Sequence, residues 1–293
     1  MQEILQQRKS RFERDFLSLL RSTSLKSAPA GLREATEYAL SGSNKRLRPV
    51  LVLEASRLAG LPEPRALLVA AAFECLHSYS LVHDDLPAMD NSDTRRGKPS
   101  LHKAYNEATA ILAGDALLTL AFEIISDPET HEDPRVRVEL IANLASAAGM
   151  NGMCGGQMLD LLGEKEKFDV GTISRMQRLK TGRLIAFCCE AGSILGRANP
   201  AHRQALRNYA HDLGLAFQVT DDLLDASGNT KNLGKPTGQD KKKVTFVSEM
   251  GIEQARMRAE MLVQQAIRHL HVFDEGRVDL LKDLAHYVLE RRV

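Results

Sequence analysis

The stretch Tyr79-Ser-Leu-Val-His-Asp-Asp-Leu-Pro-Ala-Met-Asp90 ends an apolar, helix-patterned segment with three carboxylates, Asp84, Asp85 and Asp90. More than a hundred residues downstream, Gln218-Val-Thr-Asp-Asp-Leu-Leu-Asp225 repeats the arrangement in another apolar helical context. Burying carboxylates close together is costly unless cations compensate, so the two clusters are expected to face one another across shared divalent metals. Oxygen-only ligands suit magnesium rather than zinc. A solvated helix end is the competing reading of either cluster alone. The apolar flanks, Phe73 to Val82 and Tyr209 to Val219, argue against it.

Outward from these clusters, apolar residues recur at i, i+3, i+4 and i+7, and alternating runs between turn signals are essentially missing. The chain therefore reads as all-α, with helices expected near 3–21, 30–41, 47–59, 64–86, 101–126, 134–161, 170–196, 200–225, 251–271 and 276–291. Turn punctuation falls between them at Gly60-Leu-Pro-Glu-Pro64, Gly97-Lys-Pro99, Asp127-Pro128, Asn199-Pro200 and Gly234-Lys-Pro236. No low-complexity linker divides the chain, so a single domain over 1–293 is expected. Residues 108–122 are apolar on nearly every side apart from Asp115, which predicts a surrounded helix with a hydrogen-bonded core carboxylate. Gly149, Gly152, Gly155 and Gly156 crowd the segment 141–156, although each glycine weakens a helix by up to ~1 kcal/mol. Close helix contact is the expected compensation. Gln157 and Asp160 share a face there, either lining a cavity or pairing with neighbours.

Asp221 and Asp225 stand one turn apart on one helix face, so both can reach a common metal. Asp84 and Asp90 are six residues apart, and a straight helix would point them in different directions. Pro87 resolves this: its missing amide and its clash with the preceding turn should end or bulge the helix near Asp85 and return Asp90 toward Asp84.

The balance of 39 basic against 38 acidic residues gives no general attraction to nucleic acid or to an anionic membrane, so any anion site must be local. Candidates are Asn44-Lys-Arg-Leu-Arg-Pro49, Arg95-Arg96, Lys180-Thr181 and the lysines from Lys231 to Lys243. Metal-collecting aspartates together with separate Arg and Lys groups complement a diphosphate, whose oxygens accept from both. Neither a GxxxxGK[ST] loop nor a GxGxxG turn is present, which disfavours nucleotide phosphates. Cys75, Cys154, Cys188 and Cys189 lack CxxC spacing and fit a reducing cytoplasm. Residues 1–14 are polar and unlike a signal peptide, and no stretch is expected to reach the ~20 apolar residues of a membrane span.

Assembled in order, these motifs closely resemble the trans-isoprenyl diphosphate synthases, particularly the bacterial farnesyl diphosphate synthases. The resemblance runs from Lys45-Arg-Leu-Arg-Pro49 through His77, Asp84 to Asp90, Arg95-Arg96-Gly97, Lys180-Thr181, Gln218 and Asp221 to Asp225, as far as Gly234-Lys235. It implies the isoprenoid-synthase fold, a bundle of about ten or more helices around a central cavity, usually as a homodimer. It also implies magnesium held by Asp84, Asp85, Asp90, Asp221 and Asp225, three ions per site with substrate bound. Arg95, Lys180 and Lys235 would contact the allylic diphosphate, that of dimethylallyl or geranyl diphosphate. Lys45, Arg48, His77 and Arg96 would bind isopentenyl diphosphate. Thr181 and Gln218 would sit near the reacting carbons, and Arg291-Arg292 would either close over the second substrate or form a frayed basic end. The implied reaction is dissociative, with Asp84, Asp221, Lys180, Thr181 and Gln218 carrying it.

Product length should follow how far the growing tail runs along the helix before Asp84. Ser80 lies one turn back on the same face with Tyr79 beside it, and family members that stop at fifteen carbons often carry an aromatic ring in this region. Farnesyl diphosphate is therefore the expected product. A geranylgeranyl diphosphate synthase, a terpene cyclase and a non-catalytic helical subunit are the rivals. The second diphosphate set, Lys45, Arg48 and Arg96, speaks against the cyclase, and both aspartate clusters speak against the non-catalytic reading. Two departures from the family pattern, Asn91-Ser-Asp93 and Asn44 where glycine is frequent, remove no expected ligand.

Overall fold

A computed structural model describes residues 2–42, 46–226 and 245–290, with side chains from residue 6 onward. The all-α expectation holds. The helices are α1 (Gln2–Leu20), α2 (Ala30–Leu40), α3 (Leu47–Leu58), α4 (Glu63–Asp84), α5 (Leu101–Ala104), α6 (Glu107–Ser126) and α7 (Pro134–Ala148). They continue as α8 (Met153–Gly163), α9 (Val170–Gln177), α10 (Arg183–Leu195), α11 (Pro200–Ala226), α12 (Phe246–Met250), α13 (Ile252–His269) and α14 (Asp279–Glu290). The strands β1 (Thr94–Arg95) and β2 (Lys98–Pro99) form a minimal antiparallel hairpin. Its two turn residues, Arg96 and Gly97, both have positive φ, which is why a glycine is needed in that tight turn.

Three breaks depart from the continuous helices expected from periodicity. Asn106 leaves the helical region and its side chain accepts from Thr109 N, so 101–126 divides into α5 and α6. The 134–161 segment divides at Gly149–Gly152, where a Cβ on Gly152 would lie 2.0 Å from the carbonyl oxygen of Ala147. Between α9 and α10 the chain keeps turning but widens into one π-helical turn, Arg178–Gly182.

The chain forms two compact units, Met1–Leu53 with Pro62–Ile141, and Glu54–Leu61 with Ala142–Val293. In the first, Val69 to Leu76 of α4 is fully buried, and Ala35, Val82, Leu101, Ala110 and Ala113 join α2, α4, α5 and α6 in one cluster. Arg46 is buried beside Phe12 and Phe16, with its guanidinium 6.0 and 5.5 Å from their ring centroids. It donates to Glu74, to Leu40 O at 2.9 Å and to Glu13 at 3.3 Å, so its own buried charge is matched by acceptors. In the second unit Tyr209 is fully buried and donates to Leu281 O at 2.7 Å, fastening α11 to α14. Gly192 lets α10 approach the α3 backbone so closely that an added Cβ would stand 2.5 Å from Ser56 N.

Two sequence expectations are corrected. The helix α6 is not surrounded: Ile111 and Leu112 are 43% and 59% exposed, and the Asp115 side chain is 61% exposed. One face, Ala110, Ala113, Gly114, Leu117 and Ala121, does the packing together with Leu120, Ile124 and Ile125 toward the end of the helix, while Ile111 and Leu112 point outward. Secondly, α4 and α6 are long and apolar enough to cross a membrane by length and composition, although neither contains an uninterrupted apolar run of that length. Their most apolar windows are 61% and 44% buried within the fold, as in core helices.

Candidate active site

In the first unit α4 ends at Asp84, as Pro87 predicts. The reversal that follows is held by its own backbone: Met89 N donates to Leu86 O at 2.9 Å, Asn91 N to the same oxygen at 3.1 Å, and Asp90 N to Asp84 O at 2.9 Å. Asn91 takes positive φ to complete the turn, a conformation asparagine tolerates. Asp84 and Asp90 are thereby brought together, both half-exposed. Asp85 differs. It is 2% exposed, and Arg95 Nε lies 3.0 Å from each of its carboxylate oxygens.

Two turns back along α4, half-buried His77 lies in the field of Arg46, Arg48, Arg95 and Arg96. Burial first, then those guanidinium groups, hold it well below the ordinary histidine range, so it is neutral and keeps one N–H to donate. Arg96 is brought down to about 10, chiefly by burial, and remains charged at neutral pH. Its Nη2 reaches Glu74 Oε1 at 3.3 Å, so the buried Glu74 carboxylate serves both Arg46 and Arg96. Ser80 Oγ donates to His77 O at 2.8 Å, and Tyr79 meets the His83 ring edge-on.

In the second unit the π-turn carries Lys180 and Thr181. Gly156 of α8 underlies it, since an added Cβ would lie 2.2 Å from Lys180 N. This is the close contact that the small-residue segment predicted. Lys180 Nζ donates to buried Asp160 at 2.7 Å, and Thr181 Oγ1 to Gln218 Oε1 at 3.3 Å. The open question about Asp160 is thus answered by pairing, whereas Gln157 Nε2 is buried with no hydrogen-bond partner among the described residues. On α11, Asp221 and Asp225 are half-exposed one turn apart. Between them in sequence, Asp222 is 8% exposed and accepts from Phe246 N at 2.9 Å and from Gln218 Nε2 at 3.4 Å.

Among the described residues no three His, Cys, Asp or Glu side chains are already gathered as a metal site. The donor chemistry nevertheless fits a hard divalent cation. Asp84 ends α4 and Asp225 sits in the last turn of α11, where the helix dipole is negative and disfavours carboxylates by ~0.3–1 kcal/mol unless a cation joins them. Lys45, Lys235 and Arg291-Arg292 lie outside the described residues.

A sequence model of the polyprenyl synthetase family matches residues 29–281. The chain belongs to this family. It is 44% identical over 266 residues to the farnesyl diphosphate synthase of Escherichia coli K12, covering 88% of each chain. Among solved structures it resembles the apo FPP/GFPP synthase of Zymomonas mobilis, with a TM-score of 0.89, 46% identity, and 99% and 100% of the two chains covered. It also resembles a geranyltransferase from Helicobacter pylori complexed with magnesium and isoprenyl diphosphate, with a TM-score of 0.82, 30% identity, and 98% and 96% covered.

Three site-supporting residues are not assigned a role by the sequence alone: Glu74, Asp160 and Asp222. A lone carboxylate inside the apolar run Ala66 to Leu76 is the available signal for Glu74.

Proposed function

We propose that the chain is a trans-prenyltransferase, condensing isopentenyl diphosphate with dimethylallyl and then geranyl diphosphate to give (2E,6E)-farnesyl diphosphate and pyrophosphate. The carrying observation is the grouping of Arg48, Arg95 and Arg96 around a neutral His77, on the same helix that ends in Asp84. Such a grouping suits a diphosphate beside a hard cation. Family membership and the likeness to a farnesyl diphosphate synthase support the same reading.

Asp84, Asp90, Asp221 and Asp225 would hold magnesium, three ions per site with substrate bound. The magnesium complex of the Helicobacter pylori relative supports this choice. Bound magnesium supplies neutralising charge for the departing pyrophosphate. Asp85, expected from the resemblance to be a fifth ligand, is buried against Arg95 and on this reading acts by orienting Arg95 toward the allylic diphosphate, where Lys180 and Lys235 also donate. Lys45, Arg48, His77 and Arg96 take the diphosphate of isopentenyl diphosphate. As the allylic C–O bond breaks, the oxygen dipoles of Thr181 and Gln218 favour the cation, whose carbon then bonds to the isopentenyl double bond. Loss of a proton, with released pyrophosphate as base, restores the alkene. Tyr79, with Ser80 beside it, forms the floor that stops the chain at fifteen carbons.

The enzyme would act in the cytoplasm as a homodimer, for which the exposed Ile111 and Leu112 of α6 offer an apolar surface. Product analysis tests the whole reading. Purified protein, magnesium, isopentenyl diphosphate and either allylic diphosphate should yield a dominant fifteen-carbon product on chromatography. Twenty-carbon or longer products would keep the chemistry and remove the floor, and inactivity with every allylic substrate would overturn both.

A further inference from the structure

Gly114 of α6 is a notch filled by another helix. A Cβ placed there would lie 2.1 Å from His83 Nε2 and 2.3 Å from Cδ2, so the His83 imidazole occupies the space a side chain at 114 would need. Inside the notch Nε2 is 3.1 Å from Ile111 O. A carbonyl can only accept, which assigns the ring proton to Nε2. Asp115 Oδ1 lies 3.9 Å from the same nitrogen and favours the same tautomer. One turn earlier on α4, the Tyr79 ring meets the imidazole edge to face, with centroids 5.0 Å apart and planes at 74°. Ser80 gives Tyr79 no such hold, since its hydroxyl is committed to His77 O.

We infer that His83, seated in the Gly114 notch, is a positioning residue that fixes the Tyr79 ring and thereby sets product length. The inference rests on the reading of Tyr79 as the floor. An imidazole held by a backbone carbonyl cannot swing, and a tyrosine packed against it loses the rotamers that would open the path beneath. His83 itself touches no substrate in this account.

The test compares wild type, Tyr79→Ala, His83→Asn, Gly114→Ala and the Tyr79→Ala/His83→Asn double variant. Each is given dimethylallyl and isopentenyl diphosphates with magnesium, and the ratio of twenty- to fifteen-carbon product is read by chromatography. His83→Asn and Gly114→Ala should each raise the ratio several-fold, and the double variant should match Tyr79→Ala alone. A wild-type ratio in both His83→Asn and Gly114→Ala, with Tyr79→Ala lengthening products, overturns the inference and leaves the floor standing. So does an additive double variant. An unchanged ratio in Tyr79→Ala overturns the floor and the inference with it. Complete loss of turnover in a folded His83→Asn protein overturns the positioning role by putting His83 in the chemistry itself. Should Gly114→Ala fail to fold, His83→Asn removes volume rather than adding it and carries the test alone.

Discussion

After α4 the chain must reverse on itself to bring Asp90 to Asp84, whereas α11 presents Asp221 and Asp225 from one unbroken helix. Beneath that difference the two regions share a plan. The outer carboxylates of each are half-exposed, and the second aspartate of each pair is withdrawn: Asp85 to Arg95, and Asp222 to the Phe246 amide and Gln218. A repeated sequence pattern therefore divides into two kinds of work. The outer residues stay half-exposed at the surface of their region, and the inner ones secure the neighbouring element, the β1–β2 hairpin in one region and the start of α12 in the other.

Five substitutions can break or sharpen this division. The largest effect is expected from Asp84→Ala and from Asp221→Ala, which should each lower turnover by ~1000-fold or more while the thermal midpoint stays put. Substantial residual activity in either would remove that region from metal binding. Arg95→Gln should cost ~3–5 kcal/mol in urea unfolding because it strands the buried Asp85 carboxylate. Asp222→Ala, losing an amide contact of a buried side chain, should cost only ~1–3 kcal/mol. Equal costs would show that the two inner aspartates are not anchored differently. Gly156→Ala should cost ~1–3 kcal/mol and lower turnover without changing magnesium affinity, as the π-turn is pushed away.

The smallest effect concerns pH. His77 sits below its ordinary value of 6.5 in the fold, so below that pH the unfolded chain takes up a proton that the folded chain refuses. Stability is then fully present above about pH 6.5 and is lost as pH falls toward the folded value. His77→Gln should narrow the gap in thermal midpoint between about pH 5.5 and 7.5. An unchanged gap would mean that other groups carry the acid sensitivity.

Much of this was legible in the sequence because it rests on local rules. The i, i+4 spacing of Asp221 and Asp225, the stop imposed by Pro87 and the glycine turn after Arg96 each need only a few residues of context. What stayed hidden depends on partners far along the chain or on competition between signals. Nothing near Asp160 in sequence announces Lys180, and nothing near Glu74 announces Arg46 and Arg96. The break at Asn106 was outweighed by the apolar periodicity around it, and the exposure of Ile111 and Leu112 cannot be told from burial by composition. Phe246–Met250 is too short for periodicity to register, though Thr245 and Ser248 form a capping box at its start.

The π-turn at Arg178–Gly182 has a consequence for how this protein can change. A π-turn is a helix with one residue too many, so deleting a single residue there would restore ordinary α-helical register. Each residue in an α-helix turns its successor by about 100°. Such a deletion would leave the composition nearly untouched, yet it would rotate Thr181 away from Gln218 or swing the whole of α10 against its neighbours. Tolerance to substitution in this segment is therefore a poor guide to its tolerance of length change. Alignments that slip by one position across it would misplace the threonine whose hydroxyl meets Gln218.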